Sequence, residues 1–340
     1  MDMVMEEKKI EKFNFTGIGL DYFKIWITNT VLIIFTLGIY YAWAKVRKTQ
    51  YFMQNSFIQG SHFNYHANPI GILKGNIFVL IFFILYFSIS NISTNVAALL
   101  FIIAFLFFPF LITKSMQYHL ANTSYKGIHF SYSSNLKNFY IFFFSHIFLN
   151  IITIFIFFPY TLKKYNEIIY NNIKIGDTFF KIKARTRDFY FVYLKLIGIS
   201  VLIFSIFGIF YLLFGSENSR SSIFNFATAI TFIVNFVYIN LAFYKLVINN
   251  LSISNNRFFT NISFKKYFFI NIINTILIVI TFGLYLPFAE INLKKFLLNN
   301  LNLEVYEEIS FNIEAINNSN EILSQSSEIT SSLFGIDIGV

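Results

Sequence analysis

Apolar residues gather in seven segments, near 25–43, 71–88, 96–113, 139–160, 190–214, 223–244 and 267–288, and the links between them are polar. Runs of this length are what an α-helix needs to cross a hydrocarbon layer about 30 Å thick. Two links, Ser88–Asn95 and Gly215–Ser222, are short and nearly neutral, and predict the turns of helical hairpins. The remaining links are basic, with Lys45, Arg47 and Lys48 in the first and Lys163 through Arg187 in the longest. Within them brief alternation, as in His62-Phe63-Asn64-Tyr65, predicts short strands.

The pattern repeats. Asn29–Ala44, NTVLIIFTLGIYYAWA, returns as Asn274–Ala289, NTILIVITFGLYLPFA, with eight of 16 positions identical. The links are copies as well. Thirteen residues after Ala42, Pro109, Pro159, Val237 and Pro287 stand Asn55, Asn122, Asn172, Asn250 and Asn300, and eight further on stand Phe63, Phe130, Phe180 and Phe258. The last copy breaks with Glu308. Gly60, Gly127 and Gly176 precede three of those phenylalanines, so a turn is predicted in which Asn and Gly supply left-handed backbone angles. Phe13–Gly17 reads as half of the same strand unit.

Repetition brings a topological conflict. If 139–160 crosses once, the basic links on either side of it lie on opposite faces, whereas one charge pattern favours one face. A shared face requires 25–43, 139–160 and 267–288 to enter and leave on the same side, turning at Gly38, at Gly283 and near Thr153. The competing arrangement is seven spans with inverted copies, as in many transporters. Both stay open at this point.

Composition narrows the class. The chain is 56% hydrophobic, 13% charged and 21% aromatic, about half the charge of a soluble domain. The predicted fold is therefore an all-α polytopic membrane protein of repeated helical modules with short β-hairpin-like basic links. It divides into an N-terminal strand segment (1–24), a membrane domain (25–300) and a polar, partly disordered tail (301–340). The net charge of +9 lies between the apolar runs, which points to anionic headgroups rather than nucleic acid. The acidic and basic N-terminus lacks the apolar core of a cleavable signal. No cysteine is present, so thiolate metal sites and cysteine nucleophiles are excluded.

The motif Phe13-x-Phe-Thr-Gly-x-Gly-x-x-Tyr-Phe23, followed by Asn29-x-x-Leu-x-x-x-Thr-Leu-Gly-Ile-Tyr-x-x-Trp-Ala-Lys-x-Arg47 and then Asn55, Gly60, Phe63 and Tyr65, resembles the YjgN-like family of bacterial inner-membrane proteins. The resemblance covers most of residues 13–300. It implies a multi-pass protein of the bacterial inner membrane, with no established biochemical role and no catalytic residues to carry over. The second copy departs from the motif, where Pro287-Phe288-Ala289-Glu290 replaces Ala42-Trp43-Ala44-Lys45.

Candidate chemistry is sparse. His62 and His129 share a repeat position, but no acid lies at ligand spacing beside them, so neither metal nor cofactor is expected. His146 occupies the place of Asn29 and Asn274 within an apolar segment, where an ionisable group marks a functional candidate. No phosphate loop, nucleophile elbow or zinc motif occurs, and no enzyme is expected. Two function classes remain. In the first, a transport or permeation protein uses Asn29, Thr36, His146, Thr153, Asn274 and Thr281 as a polar site between copies. In the second, a membrane scaffold or envelope-maintenance protein binds lipid or a partner and uses the matched Asn, Gly38 and Gly283 only as turn devices. A homo-oligomer is compatible with either. A wet polar cavity between copies would favour the first and a dry interior the second.

Overall fold

The structure is a computed structural model that describes residues 9–133 and 135–306. Its helices are α1 (Gly19–Phe35), α2 (Tyr41–Gln54), α3 (Pro69–Ser90), α4 (Thr94–Ala121), α5 (Leu136–Ile152), α6 (Phe158–Tyr170), α7 (Thr186–Phe214), α8 (Arg220–Ile248), α9 (Phe264–Ile280) and α10 (Leu286–Asn299). Its strands are β1 (Lys9–Lys12), β2 (Asn14–Phe15), β3 (Ser56–Ile58), β4 (Ser61–Tyr65), β5 (Thr123–Tyr125), β6 (Ile128–Tyr132), β7 (Ile173–Ile175), β8 (Thr178–Ile182), β9 (Leu251–Ile253), β10 (Asn256–Thr260) and β11 (Leu301–Val305).

Two expectations need correction. The chain is not all-α with about seven apolar spans. Four helices, α3, α4, α7 and α8, are long and apolar enough to cross a membrane. The segments 25–43, 139–160 and 267–288 are each broken into two shorter helices. Nor are the links isolated β-hairpins. Their strands join one antiparallel sheet in the order β1-β11-β10-β9-β8-β7-β6-β5-β4-β3-β2. The two ends of that order, β1 and β2, are separated in the chain by Phe13 alone, whose amide donates to Leu301 O at 3.1 Å. The sheet therefore closes into a barrel through one bent N-terminal strand, a device that leaves no edge exposed. β11 and Tyr306 lie within the stretch assigned to the polar tail; residues 307–340, Glu308 among them, fall outside the described residues.

The hairpin turns follow from their residues. Gln59-Gly60 and Lys126-Gly127 both hold positive φ at the two central positions (49° and 72°; 49° and 79°), the type I′ geometry that matches strand twist. The recurrent asparagines do a different job from the one expected. None of Asn55, Asn122, Asn172, Asn250 and Asn300 has positive φ. Each turns its Nδ2 back to donate to the carbonyl four residues earlier, at 2.7–2.8 Å, and so satisfies the end of a helix. The backbone carbonyls of Asn55, Asn122, Asn172 and Asn250 accept from Thr16, His66, Ser133 and Lys183, where the neighbouring strand leaves the sheet.

Every helical pair begins and ends at this barrel. Each helix packs on its chain neighbours, and α10 packs on α1, so five helical hairpins form a closed ring on one side of the sheet. Hairpins α3–α4 and α7–α8 are long, with α7 and α8 of 29 residues each, about 43 Å. The other three are short, with α1, α5 and α9 of 17 residues, about 26 Å.

The short hairpins turn at 36–40, 153–157 and 281–285, and each turn satisfies its own amides. In the first, Gly38 N reaches Ile33 O (2.8 Å), Leu37 N reaches Ile34 O, Ile39 N reaches Thr36 O, and Tyr40 N donates to Thr36 Oγ1 (3.0 Å). Thr281 Oγ1 accepts from Tyr285 N (3.0 Å) and Thr153 Oγ1 from Phe157 N (3.4 Å) in the same way. The tips are apolar and open to their surroundings: Leu37 is 94% exposed and Phe282 97%. A chain reversal with no unpaired amide and an apolar outside is what hydrocarbon tolerates.

Candidate functional site

The axis of the barrel is its chemically distinctive place. Alternation along the strands points every second side chain inward. Phe63 on β4, Phe130 on β6, Phe180 on β8 and Phe258 on β10 face the lumen together with Phe13 at the bend between β1 and β2. Four successive ring spacings are 6.2 Å (Phe13–Phe258), 6.1 Å (Phe258–Phe180), 6.3 Å (Phe180–Phe130) and 6.4 Å (Phe130–Phe63). The phenyl groups thus form a belt around the axis. Ile58, Ile128, Ile175, Ile253 and Leu303 extend the apolar wall, and the partly open cavity measures about 310 Å³.

Among the described residues, the polar side chains that line the cavity are Gln59, Tyr125, Lys126 and the fully buried Asn256. Tyr125 donates its hydroxyl to Ile58 O at 3.0 Å. Burial first, and the nearby Glu11 second, push its pKa up to about 12, so it stays an uncharged phenol. At the turn end, Lys126 Nζ donates to Gln59 Oε1 (3.2 Å) and lies over the Tyr125 ring. Glu11 is held by Lys9 at 2.7 Å. At the helix end the wall is Ile248, with Leu298 packed beside it. The lining is dominated by phenyl and aliphatic groups, which solvate water and ions poorly.

The six polar residues proposed from the sequence do not meet there. Asn29 and Thr36 belong to hairpin α1–α2, His146 and Thr153 to α5–α6, and Asn274 and Thr281 to α9–α10. Asn29 Nδ2 donates to Ala44 O (3.5 Å) and Asn274 Nδ2 to Ala289 O (3.4 Å), tying the two arms of one hairpin together. His146 is not their counterpart in the middle hairpin: its Nδ1 contacts Phe142 O (3.0 Å) on its own helix, and its ring stacks on Tyr160. The bond between arms comes one turn later, from Asn150 Nδ2 to Thr161 Oγ1 (2.9 Å). Gly38 and Gly283 sit at φ 91° and 90°, with nothing near where a Cβ would stand, so they serve backbone angle and not close packing.

The histidines also sort differently. His62 packs edge-on against Phe57, whereas His129 lies 5.3 Å from His66, which in turn contacts Ser124 Oγ through Nε2 (2.9 Å). Burial lowers the His129 pKa, and its bond to Ala121 O offsets this in part. Among the described residues no three His, Cys, Asp or Glu side chains converge on a metal-sized site.

Glu290, the departure from the first-copy motif, closes the helical ring. It accepts from Tyr22 Oη on α1 (2.7 Å) and pairs with Lys48 on α2 (2.9 Å), joining the last hairpin to the first. Sequence reasoning passed over this role and the lumen belt. The signal for the belt was present in the fixed step from Asn to Phe, but nothing local shows that five strands meet across up to 245 residues.

Comparison with known proteins fits this architecture to a family. Residues 10–325 match the family described as bacterial protein of unknown function (DUF898). The curated inner membrane protein YjgN of Escherichia coli (strain K12) is 32% identical over 160 residues, 44% of this chain and 39% of that protein. Its counterpart from Salmonella typhimurium (strain LT2) is 30% identical over 132 residues, 38% of this chain and 33% of that protein. The matched regions thus span well under half of the length of these relatives. No solved structure matches the chain.

Proposed function

The chain belongs to the DUF898 family of bacterial proteins of unknown function, and from that premise we propose that it is a multi-pass inner-membrane permeation protein for an apolar solute. Its path follows the common axis of the helical ring and the barrel. The protein is built from five repeated modules, four of them a helical hairpin followed by a strand pair and the last followed by β11, which pairs with β1, with the barrel on the cytoplasmic side, where basic links belong. The observation that carries the reading is the belt of Phe13, Phe63, Phe130, Phe180 and Phe258 around a 310 Å³ apolar cavity. Polar solutes are disfavoured by that wall, since most of it is apolar and only Gln59, Tyr125, Lys126 and Asn256 can return the hydrogen bonds they would lose.

The test is a leak assay. Proteoliposomes bearing the wild-type protein should hold an ion gradient, while Phe130→Ser with Phe180→Ser should wet the lumen and dissipate it. A doubly substituted, folded protein that remains tight would remove the axis as a path. The scaffold reading would then take over. It has its own support, because the shared Asn and Thr groups are consumed within the turns and arms of single hairpins.

A further inference from the structure

A second cavity lies between the two longest helices, at the end of the molecule away from the barrel. It measures about 580 Å³, opens at the α7–α8 connection and runs down between the helices as far as Phe204 and Ala227. Its depth is aromatic: Phe204 and Phe224 pack against one another at 5.8 Å on its wall, with Phe207 beside them. Gly208 on α7 adds no side chain, and a Cβ there would meet nothing, so the groove stays open at mid-height. Its rim is charged. Glu217 and Arg220 both line it, and neither has an ion-pair partner among the described residues, although they stand only three positions apart. Gly215 leaves room for the Tyr211 ring to fold against the connection, since a Cβ at that position would collide with the ring and with Tyr211 O.

We propose that this groove binds a zwitterionic phospholipid with a primary ammonium headgroup, of the phosphatidylethanolamine type. Hairpin α7–α8 is about 43 Å tall, so its connection reaches the headgroup layer on the side opposite the barrel. Arg220 meets the phosphodiester with its forked donors, and Glu217 accepts from the ammonium. One acyl chain descends along Phe204, Phe207 and Phe224, where the open position at Gly208 receives it. A rim carrying one charge of each sign matches a headgroup of net charge zero. It disfavours an anionic glycerol headgroup, which leaves Glu217 facing a phosphate without a cation. Quaternary ammonium heads can neutralise Glu217 but cannot donate a hydrogen bond to it.

The site is independent of the axial path, and its test uses the full chain, delipidated in detergent and examined by native mass spectrometry. The ligands are phosphatidylethanolamine, phosphatidylglycerol and phosphatidylcholine of identical acyl chains, together with soluble phosphorylethanolamine. The ethanolamine lipid should be retained about fivefold better than the glycerol lipid. Glu217→Gln should bring that ratio to about one, and Arg220→Gln should weaken both lipids about tenfold. Gly208→Val should weaken every lipid while leaving their ratio intact. All three positions are solvent- or lipid-facing, and unchanged melting of each variant confirms that binding alone is read. Equal or better retention of the glycerol lipid by wild type would overturn the proposal, as would a ratio insensitive to Glu217→Gln. Binding of phosphorylethanolamine as tight as that of the lipid would also overturn it, by showing a free phosphoester site with no use for the groove.

Discussion

The barrel and the helical ring are held together by different physics. In the barrel, short strands bury Ile58, Ile128, Ile175 and Ile253 below 6% exposure around a shared axis, as a water-soluble core would. In the ring, helices pack mainly on their neighbours, and side chains such as Ile206 and Phe232 stay 57% and 71% exposed. The ring owes its integrity to satisfied backbone and to apolar surface that lipid can cover. The same chain thus obeys the rule of buried apolar side chains at one end and the rule of no unpaired amide at the other. The difference predicts that equal mutations will have unequal effects at the two ends.

The largest contrast is in large-to-small substitution. Ile128→Ala leaves a cavity in the barrel wall and should cost about 3 kcal/mol in thermal or denaturant unfolding of the detergent-solubilised protein. Ile206→Ala, on the outside of α7, should change stability by no more than about 0.5 kcal/mol. Equal losses would mean that the ring packs as tightly as the barrel. Within the ring the critical groups are polar. Thr36→Val deprives the Tyr40 amide of its acceptor and should cost about 2 kcal/mol, whereas Thr228→Val removes only a hydroxyl bonded back to Phe224 O and should be near neutral. A smaller effect of opposite sign separates the short hairpins. Phe155 occupies the left-handed position that Gly38 and Gly283 hold elsewhere, at φ 61°. Phe155→Gly should therefore stabilise by about 1 kcal/mol, and Gly38→Ala should destabilise by a similar amount.

The smallest effect concerns pH. Burial lowers the His129 pKa, so the folded protein binds a proton there less readily than the unfolded chain. Stability should then fall as pH drops below the ordinary histidine value of about 6.5 and level off below the folded pKa. His129→Gln, followed through melting temperature from pH 7.5 to 5, should flatten that slope. An unchanged slope would place the titration elsewhere.

Much of this was legible locally. Thr36-x-Gly38 and Thr281-x-Gly283 announced a reversal because Gly reaches positive φ freely, and the step from Asn55 to Phe63 announced a strand pair. The central copy marked its reversal through Thr153 alone, since Phe155 takes the glycine position by context rather than propensity. Its arm-to-arm bond had likewise moved from the aligned His146 to Asn150. Asn55 and its counterparts were legible as turn markers, but their mechanism was not: an amide side chain capping a helix and one supplying a left-handed angle look alike in sequence. Barrel closure was hidden most deeply. It depends on the pairing of Lys9–Lys12 with Asn302–Val305, which no local pattern encodes. The choice between re-entrant and single-crossing segments at 25–43, 139–160 and 267–288 stayed open in the sequence because hydropathy counts apolar residues without registering where a helix stops.

The central claim is that all strand pairs lie on one face and that the three short hairpins turn back within the bilayer. The chain has no native cysteine, so single cysteines can report on it without background. Gln59→Cys, Lys126→Cys, Asp177→Cys and Asn255→Cys should all react with a membrane-impermeant maleimide from the cytoplasmic side alone, and Leu37→Cys should react from neither. Labelling of positions 59 and 126 from one side and of 177 and 255 from the other would contradict the account, because it would require 139–160 to cross the membrane once.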